Sequence, residues 1–255
     1  MLGAILGDII GSPYEFHNYR KEDFELFCPF SRITDDTVMT VATANSILTQ
    51  TDYGKNYHQF GNRYPRHGYG VMFSDWLGNL EPVPYGSYGN GAPMRVSPVG
   101  FFFQTVEEVR REAERTAMPT HNHPEGIKGA VSIAEAIFHL RKGMVNEDLL
   151  RLFEVEHGYR INRNLANTRE TNRFSETSQT TVPLAVTALI HATSFEDCIR
   201  KAVSLGGDSD TIAAIAGSMA EARFGIPVEL EKKAEELLPP EFKVVIDEFY
   251  LKLNG

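Results

Sequence analysis

Apolar residues in this chain recur mostly at spacings of three and four, the period of one helix face. After Thr34 they fall at Val38, Val41, Ala42, Ala44, Ile47 and Leu48. Thr105 with Glu108 reads as a capping box that opens a helix through Arg115. Residues 127–140 carry apolar positions at 130, 133, 134, 137 and 138, and further helical stretches follow at 146–156 and 181–191. Ser194 with Asp197 marks a second capping box, ahead of 195–205. The clearest run is 208–224, where Ile212, Ile215, Ala216, Met219 and Ala220 share a face. Two more helices, near 229–238 and 241–253, are separated by Pro239-Pro240. No segment alternates with the period of two of a half-buried strand. The pattern predicts an all-α fold of about ten or more helices, in a single domain over residues 1–255.

Two stretches stand apart from this rhythm. Residues 78–98 are rich in Gly, Pro, Tyr and Asn and predict a long ordered loop, of the kind that often carries function. The 208–224 run also holds Ala213, Ala214, Gly217 and Ala222, with Gly225 just after it. Small residues let neighbouring helices approach closely, so this helix is predicted to be central and buried.

Composition narrows the class. With 42% hydrophobic residues in 255, the chain has material for one sizeable core, or two small ones at most. No apolar run approaches the roughly 18 residues that a membrane span needs. Met1 to Asp8 lacks the basic start of a signal peptide. The two cysteines, Cys28 and Cys198, are far apart and form no CxxC, which argues against structural disulfides and a thiolate zinc site. A cytoplasmic protein without a membrane partner, monomeric or weakly dimeric, is expected. The net charge of −9 argues against a partner bound through a phosphate backbone. That charge is either spread over a solvated surface or partly gathered in one place and neutralised by cations.

Two short motifs bear on that choice: Thr34-Asp35-Asp36-Thr37 and Gly206-Gly207-Asp208-Ser209-Asp210-Thr211, each directly before an apolar helical run. A single Asp at a helix start is ordinarily an N-cap. Capping does not account for two acids within three residues at both helices, each beside a Thr. Side chains of consecutive helical residues diverge, so Asp35 and Asp36 converge only where the chain is not yet helical. Carboxylates gathered at one spot repel by roughly 4 kcal/mol per pair at ~4 Å and an effective dielectric of about 20. A divalent cation reverses that sign, and carboxylates with Thr hydroxyls are the hard oxygen donors that suit Mg²⁺ or Mn²⁺. These residues point to a two-metal hydrolytic site, for which phosphoester and glycosidic chemistry both fit. Glu15, just after the Gly11-Ser12-Pro13 break, is either a surface glutamate or a third functional acid.

With these residues in hand, the chain resembles the ADP-ribosylglycohydrolase family. The carriers are Gly7-Asp8-x-x-Gly11-x-x-x-Glu15, Thr34-Asp35-Asp36-Thr37, Gly89-Asn90-Gly91-x-x-Met94-Arg95, Thr120-His121 and Gly206-Gly207-Asp208-x-Asp210-Thr211, in the family's order. The resemblance implies an all-α orthogonal bundle of that type with two Mg²⁺ or Mn²⁺ ions between the acidic clusters. Thr34, Asp35 and Asp36 would supply one ligand set, and Asp208, Asp210 and Thr211 the other, with Asp210 bridging. The ions would hold the 2′- and 3′-hydroxyls of the distal ribose and a water, and Glu15, on a mobile loop, would act as acid/base at C1″. The loop of Gly86, Ser87, Tyr88, Gly89, Asn90 and Gly91 would receive the pyrophosphate on backbone N–H groups, with the Ser87 hydroxyl adding a donor and Tyr88 either stacking on adenine or serving as a core tyrosine. Arg95 and His121 are candidates for further help there, and His123 for a supporting or surface place. Family members that act on ADP-ribosyl-arginine tend to carry an acid where this chain has Ser87, so an O-linked substrate (serine, poly-ADP-ribose or O-acetyl-ADP-ribose) is favoured. The implied substrate is an ADP-ribosylated protein or a small ADP-ribose conjugate. The competing readings are a binuclear metal phosphohydrolase acting on a nucleotide and a non-catalytic ADP-ribose-binding module. Intact acids at every expected position speak against the latter.

Overall fold

The computed structural model describes residues 1–254. Its helices are α1 (Leu2–Gly11), α2 (Asp35–Thr49), α3 (Tyr53–Arg63), α4 (Val71–Gly78), α5 (Gly91–Arg95), α6 (Ser97–Phe102), α7 (Val106–Ala117) and α8 (Pro124–Leu140). They continue with α9 (Asn146–Arg151), α10 (Leu165–Thr171), α11 (Ser178–Ile190), α12 (Phe195–Ser204), α13 (Ser209–Phe224), α14 (Val228–Leu237) and α15 (Pro240–Asn254). A π-helical turn, Leu152–Glu156, extends α9 over the length the apolar pattern predicts. There is no strand among the described residues, only an isolated bridge between Gly89 and Thr177. The all-α expectation holds, and one hydrophobic core runs through the helices.

The predicted loop over 78–98 is corrected in its second half. The chain is irregular only as far as Asn90, and α5 and α6 then follow. Pro98 falls in the first turn of α6, where a missing N–H costs nothing. The Thr105 capping box is present in full, with Glu108 N–H donating to the Thr105 hydroxyl at 3.2 Å. Ser194 caps α12 by accepting from Asp197 N–H at 3.1 Å, but the Asp197 carboxylate accepts from the Thr193 N–H, one residue earlier than a capping box requires.

The central helix is α13, as its small residues predict, and α1, α2, α5, α8, α11 and α12 pack around it. Its most extensive pairing is with α1, every residue of which is buried. A helix apolar on all sides shows no amphipathic stripe, which is why periodicity does not single out α1. The two helices meet backbone to backbone. A Cβ on Gly7 would overlap the Ala213 carbonyl outright, and one on Gly11 would lie 2.5 Å from the Asp210 Cα. This approach sets Asp8 and the first turn of α13 side by side. Gly7→Ala is therefore expected to cost about 3 kcal/mol by forcing the helices apart and to lower Tm by roughly 10 °C. At Gly78 an added methyl meets nothing within 4 Å, so Gly78→Ala is the control. Equal melting of the two variants in calorimetry would refute the close-contact argument.

Candidate active site

The first turns of α2 and α13 converge, and α1 ties them together. Thr34 is the N-cap of α2 and accepts from Asp36 N–H at 3.3 Å. Its own hydroxyl donates to Asp8 Oδ1 at 2.7 Å. Asp8 also accepts from the Thr34 and Thr37 backbone N–H groups, at 2.9 and 3.1 Å, and from the Thr37 hydroxyl. All these partners are donors, so they favour the charged carboxylate against the burial that raises its pKa, and together they lock the turn. Capping is thus real at this motif, but Thr34 and Asp8 perform it, which leaves the carboxylates of Asp35 and Asp36 free for other work.

At α13 the turn is made by Gly206 and Gly207, with φ of +66° and +82°, a region that suits glycine. Asp208 occupies the N-cap position yet does not cap; its carboxylate accepts from Asn90 Nδ2 at 2.6 Å. Asp36 Oδ2 accepts from the Thr211 hydroxyl at 3.2 Å, joining the two motifs directly. Glu15, Asp208 and Asp210 bring one carboxylate oxygen each within 4.8 Å of one another. The loop of Glu15 is tied to this turn by Asn18, whose Nδ2 donates to the Glu15 carbonyl at 3.0 Å while its Oδ1 accepts from Gly207 N–H at 2.5 Å.

The electrostatics follow from the crowding. Burial pushes the carboxyls of Asp35, Asp36 and Asp210 well above the usual carboxylate range, and the neighbouring carboxylates push them further. Burial raises Asp208 as well, against its hydrogen bonds. Glu15 is raised to about 7, first by burial and then by Asp208, with Arg32 opposing. Asp36 Oδ1 is buried and has no hydrogen-bond partner. A buried charged oxygen without a donor is costly. A hard divalent cation relieves that cost and the mutual repulsion together, so the donor set fits such an ion.

A cavity of about 300 Å³ opens here. It is lined by Glu15, Asp35, Asp36, Asp208, Asp210 and Thr211, and also by Ser87, Gly89, Asn90, Gly91, Arg95 and His121. The two acidic motifs, the third acid and the Gly-rich loop therefore meet in one place. Thr34 is buried beneath the turn. Gly86 and Tyr88 are not among the lining residues. The Tyr88 ring is half-exposed and stands edge-on to His123, with centroids 5.3 Å apart.

The Gly-rich loop differs from its expected use. Gly86 N–H donates to Asn122 Oδ1, Ser87 N–H to the Thr120 carbonyl, Gly89 N–H to Ser87 Oγ and Asn90 N–H to the Glu176 carbonyl. Of the amides from 86 to 90, Tyr88 alone lacks a partner among the described residues. The glycines serve close approach instead: a Cβ on Gly91 would stand 2.8 Å from His121 Nε2.

Several residues of the site carry no local signal. Glu176 lines the cavity, with its carboxyl raised by burial and by Asp208. Tyr85, Met39, Val71, Met72 and Phe73 add an apolar wall. Asp8 alone had a legible clue, as the one acid within a fully apolar stretch.

Comparison with known proteins is consistent along the whole chain. Residues 1–251 match the family described as ADP-ribosylglycohydrolase. Among curated proteins, ADP-ribosylhydrolase ARH3 of Homo sapiens is 26% identical, over 89% of this chain and 84% of its own. ADP-ribosylarginine hydrolase Tri1 of Pseudomonas putida is 25% identical, over 89% of this chain and 70% of its own. Among solved structures, an ADP-ribosylglycohydrolase-related protein complex superposes with a TM-score of 0.73 at 23% identity, covering 99% of this chain and 95% of that one. The last likeness concerns the fold.

Proposed function

The chain belongs to the ADP-ribosylglycohydrolase family and is a hydrolase of glycosidic bonds; we propose that it frees ADP-ribose by cleaving the bond at C1″ to an ADP-ribosylated protein or a small conjugate. The observation that carries this reading is the single cavity in which both acid-led helix starts, Glu15 and the loop of Ser87 to Gly91 meet. We propose further that Asp35, Asp36, Asp208, Asp210 and Thr211 would hold two Mg²⁺ or Mn²⁺ ions, with Asp210 shared, and that Thr34, whose hydroxyl already bonds Asp8 and Asp36 N–H, would join them only through its remaining lone pair. Such ions would supply Lewis-acid stabilisation of charge developing at the anomeric carbon and an anchor for the ribose hydroxyls.

The chain's own residues do the rest. Asp8 fixes the turn that presents Asp35 and Asp36, and Asn90 fixes Asp208. Glu15 moves the proton at the scissile bond. In the metal-free protein, burial and then the Asp208 carboxylate raise its pKa to about 7, where a carboxyl both holds and accepts a proton. Ser87, Asn90, Gly91 and His121 line the part of the cavity that takes the diphosphate. Most loop amides are engaged, so this role falls on side chains.

An O-linked substrate is favoured because Ser87, neutral and bonded to Gly89, offers no charge to a guanidinium. Glu176 is a further acid lining the cavity, and Tri1, the arginine hydrolase, is a relative, which makes the linkage a matter for direct comparison. The deciding experiment is a panel of ADP-ribosyl-serine and ADP-ribosyl-arginine peptides, poly-ADP-ribose and O-acetyl-ADP-ribose, with Mg²⁺, Mn²⁺ or EDTA. Metal-dependent release of ADP-ribose is expected, fastest from an O-linkage. Faster release from arginine would overturn the linkage preference, and release of phosphate in place of ADP-ribose would overturn the reaction.

The raised carboxyls give a second check on the metal. Their folded pKa values lie above the unfolded ones near 4. The folded state therefore binds more protons between those limits, and the stability these groups contribute at low pH is lost as pH rises through the raised values. In EDTA the protein is expected to melt lower at pH 8 than at pH 5. Mg²⁺, which stabilises the charged forms, should open a gap in Tm that widens over the same range. A gap that stays constant or is absent would count against a metal held by these acids.

A further inference from the structure

Arg95 is fully buried, yet its guanidinium meets no carboxylate among the described residues. Nη2 donates to the Thr116 carbonyl at 2.9 Å and to the Thr120 hydroxyl at 2.8 Å, the group lies 4.1 Å from the Tyr57 ring centre, and Nε has no partner. The Thr120 hydroxyl, buried as well, stands 2.7 Å from His121 Nδ1. His121 lines the cavity, with Nε2 nearest the space above Gly91 and Gly89.

The donor inventory orders this chain of contacts. A guanidinium only donates, so the Thr120 oxygen must accept from Arg95. The one proton of that hydroxyl then has His121 Nδ1 as its acceptor. If Nδ1 carried a proton instead, the hydroxyl hydrogen would be buried without an acceptor, beside an uncompensated cation. We propose that Arg95 and Thr120 are positioning residues that hold His121 as a neutral imidazole with its proton on Nε2, presented to the cavity as a fixed donor to an anionic oxygen of the ligand. Burial and the charge of Arg95 both hold the imidazole well below its ordinary pKa, in agreement. The arrangement brings the influence of a buried cation to the cavity through two polarised hydrogen bonds without placing a mobile charge there. That the anionic oxygen belongs to the diphosphate of ADP-ribose rests on the function proposed above.

The test is the ¹⁵N spectrum of the histidine-labelled full chain, with His121 assigned by its loss in His121→Gln. Nε2 should fall in the protonated, pyrrole-type region and Nδ1 in the unprotonated, pyridine-type region. Thr120→Val should scramble that pattern and weaken ADP-ribose binding about tenfold, and Thr120→Ser should restore both. A proton on Nδ1 in the wild type would overturn the proposal, even if Thr120→Val fails to fold. So would a Thr120→Val protein whose His121 spectrum matches the wild type. The predicted spectra together with no ADP-ribose binding would leave the relay standing and remove only the ligand.

Discussion

Replacing Glu15 by glutamine is expected to cut turnover at least about 100-fold, the lower range for loss of a positioned acid or base. Glutamine keeps the shape and loses the proton chemistry. The carboxylate of Glu15 lies with Asp208 and Asp210 but is raised to about 7, so in the metal-free protein the neutral form already occurs near neutrality. Its replacement by an amide disturbs the folded state little. The metal-dependent gain in Tm and the affinity for ADP-ribose should therefore be close to wild type while kcat falls. A fall of 100-fold corresponds to about 2.7 kcal/mol of transition-state stabilisation. Turnover within about tenfold of wild type would remove Glu15 from the mechanism. Loss of ADP-ribose binding in parallel would make it a binding group.

Asp210→Ala is expected to be harsher, because it removes a ligand that the proposed site shares between two ions. Activity should drop at least about 1,000-fold, in line with the several kcal/mol that metal ions supply in such sites. The distinguishing readout is thermal. At metal concentrations near 100 times Kd, binding stabilises the wild type by about 2.7 kcal/mol, or roughly 5–10 °C in a chain of this size. That gain should vanish in Asp210→Ala. The metal-free variant should melt no lower than the metal-free wild type at pH 8, since the buried Asp210 carboxyl is raised by burial, by Asp208 and by Asp36 and resists ionising there. Two ions still bound to the variant by calorimetric titration would rule out the shared role.

The two acidic motifs were legible because their chemistry is local. Asp and Thr at a helix start, two acids within three residues and a Gly-Gly turn before one of them are patterns of neighbours in the chain. The capping boxes and the long apolar faces were legible for the same reason. The Gly-rich loop was legible as an unusual stretch, but its use was not. Whether the N–H of Gly89 or Asn90 is free depends on Ser87 and on Glu176, and the second is far along the sequence. The helices α5 and α6 lay hidden in that stretch because Gly and Pro lower helix propensity, which tertiary packing overrides.

By itself, then, the sequence determined an all-helical chain, two acid-led helix starts with hard oxygen donors, and an order of motifs that marks the family. Those features are carried by periodicity, capping and turn chemistry, all of which act over a few residues. Only the tertiary structure decided that the two starts face each other. That outcome rests on α1, a helix buried on every side, whose glycines bring it against α13 and whose Asp8 grips the turn of α2. The tertiary structure likewise decided that Asp36 Oδ1 is left without a donor, that Glu176 joins the cavity, and that Arg95 reaches His121 through Thr120. The reason is physical: burial, repulsion between carboxylates and the direction of a hydrogen bond depend on distances between residues that the chain order separates.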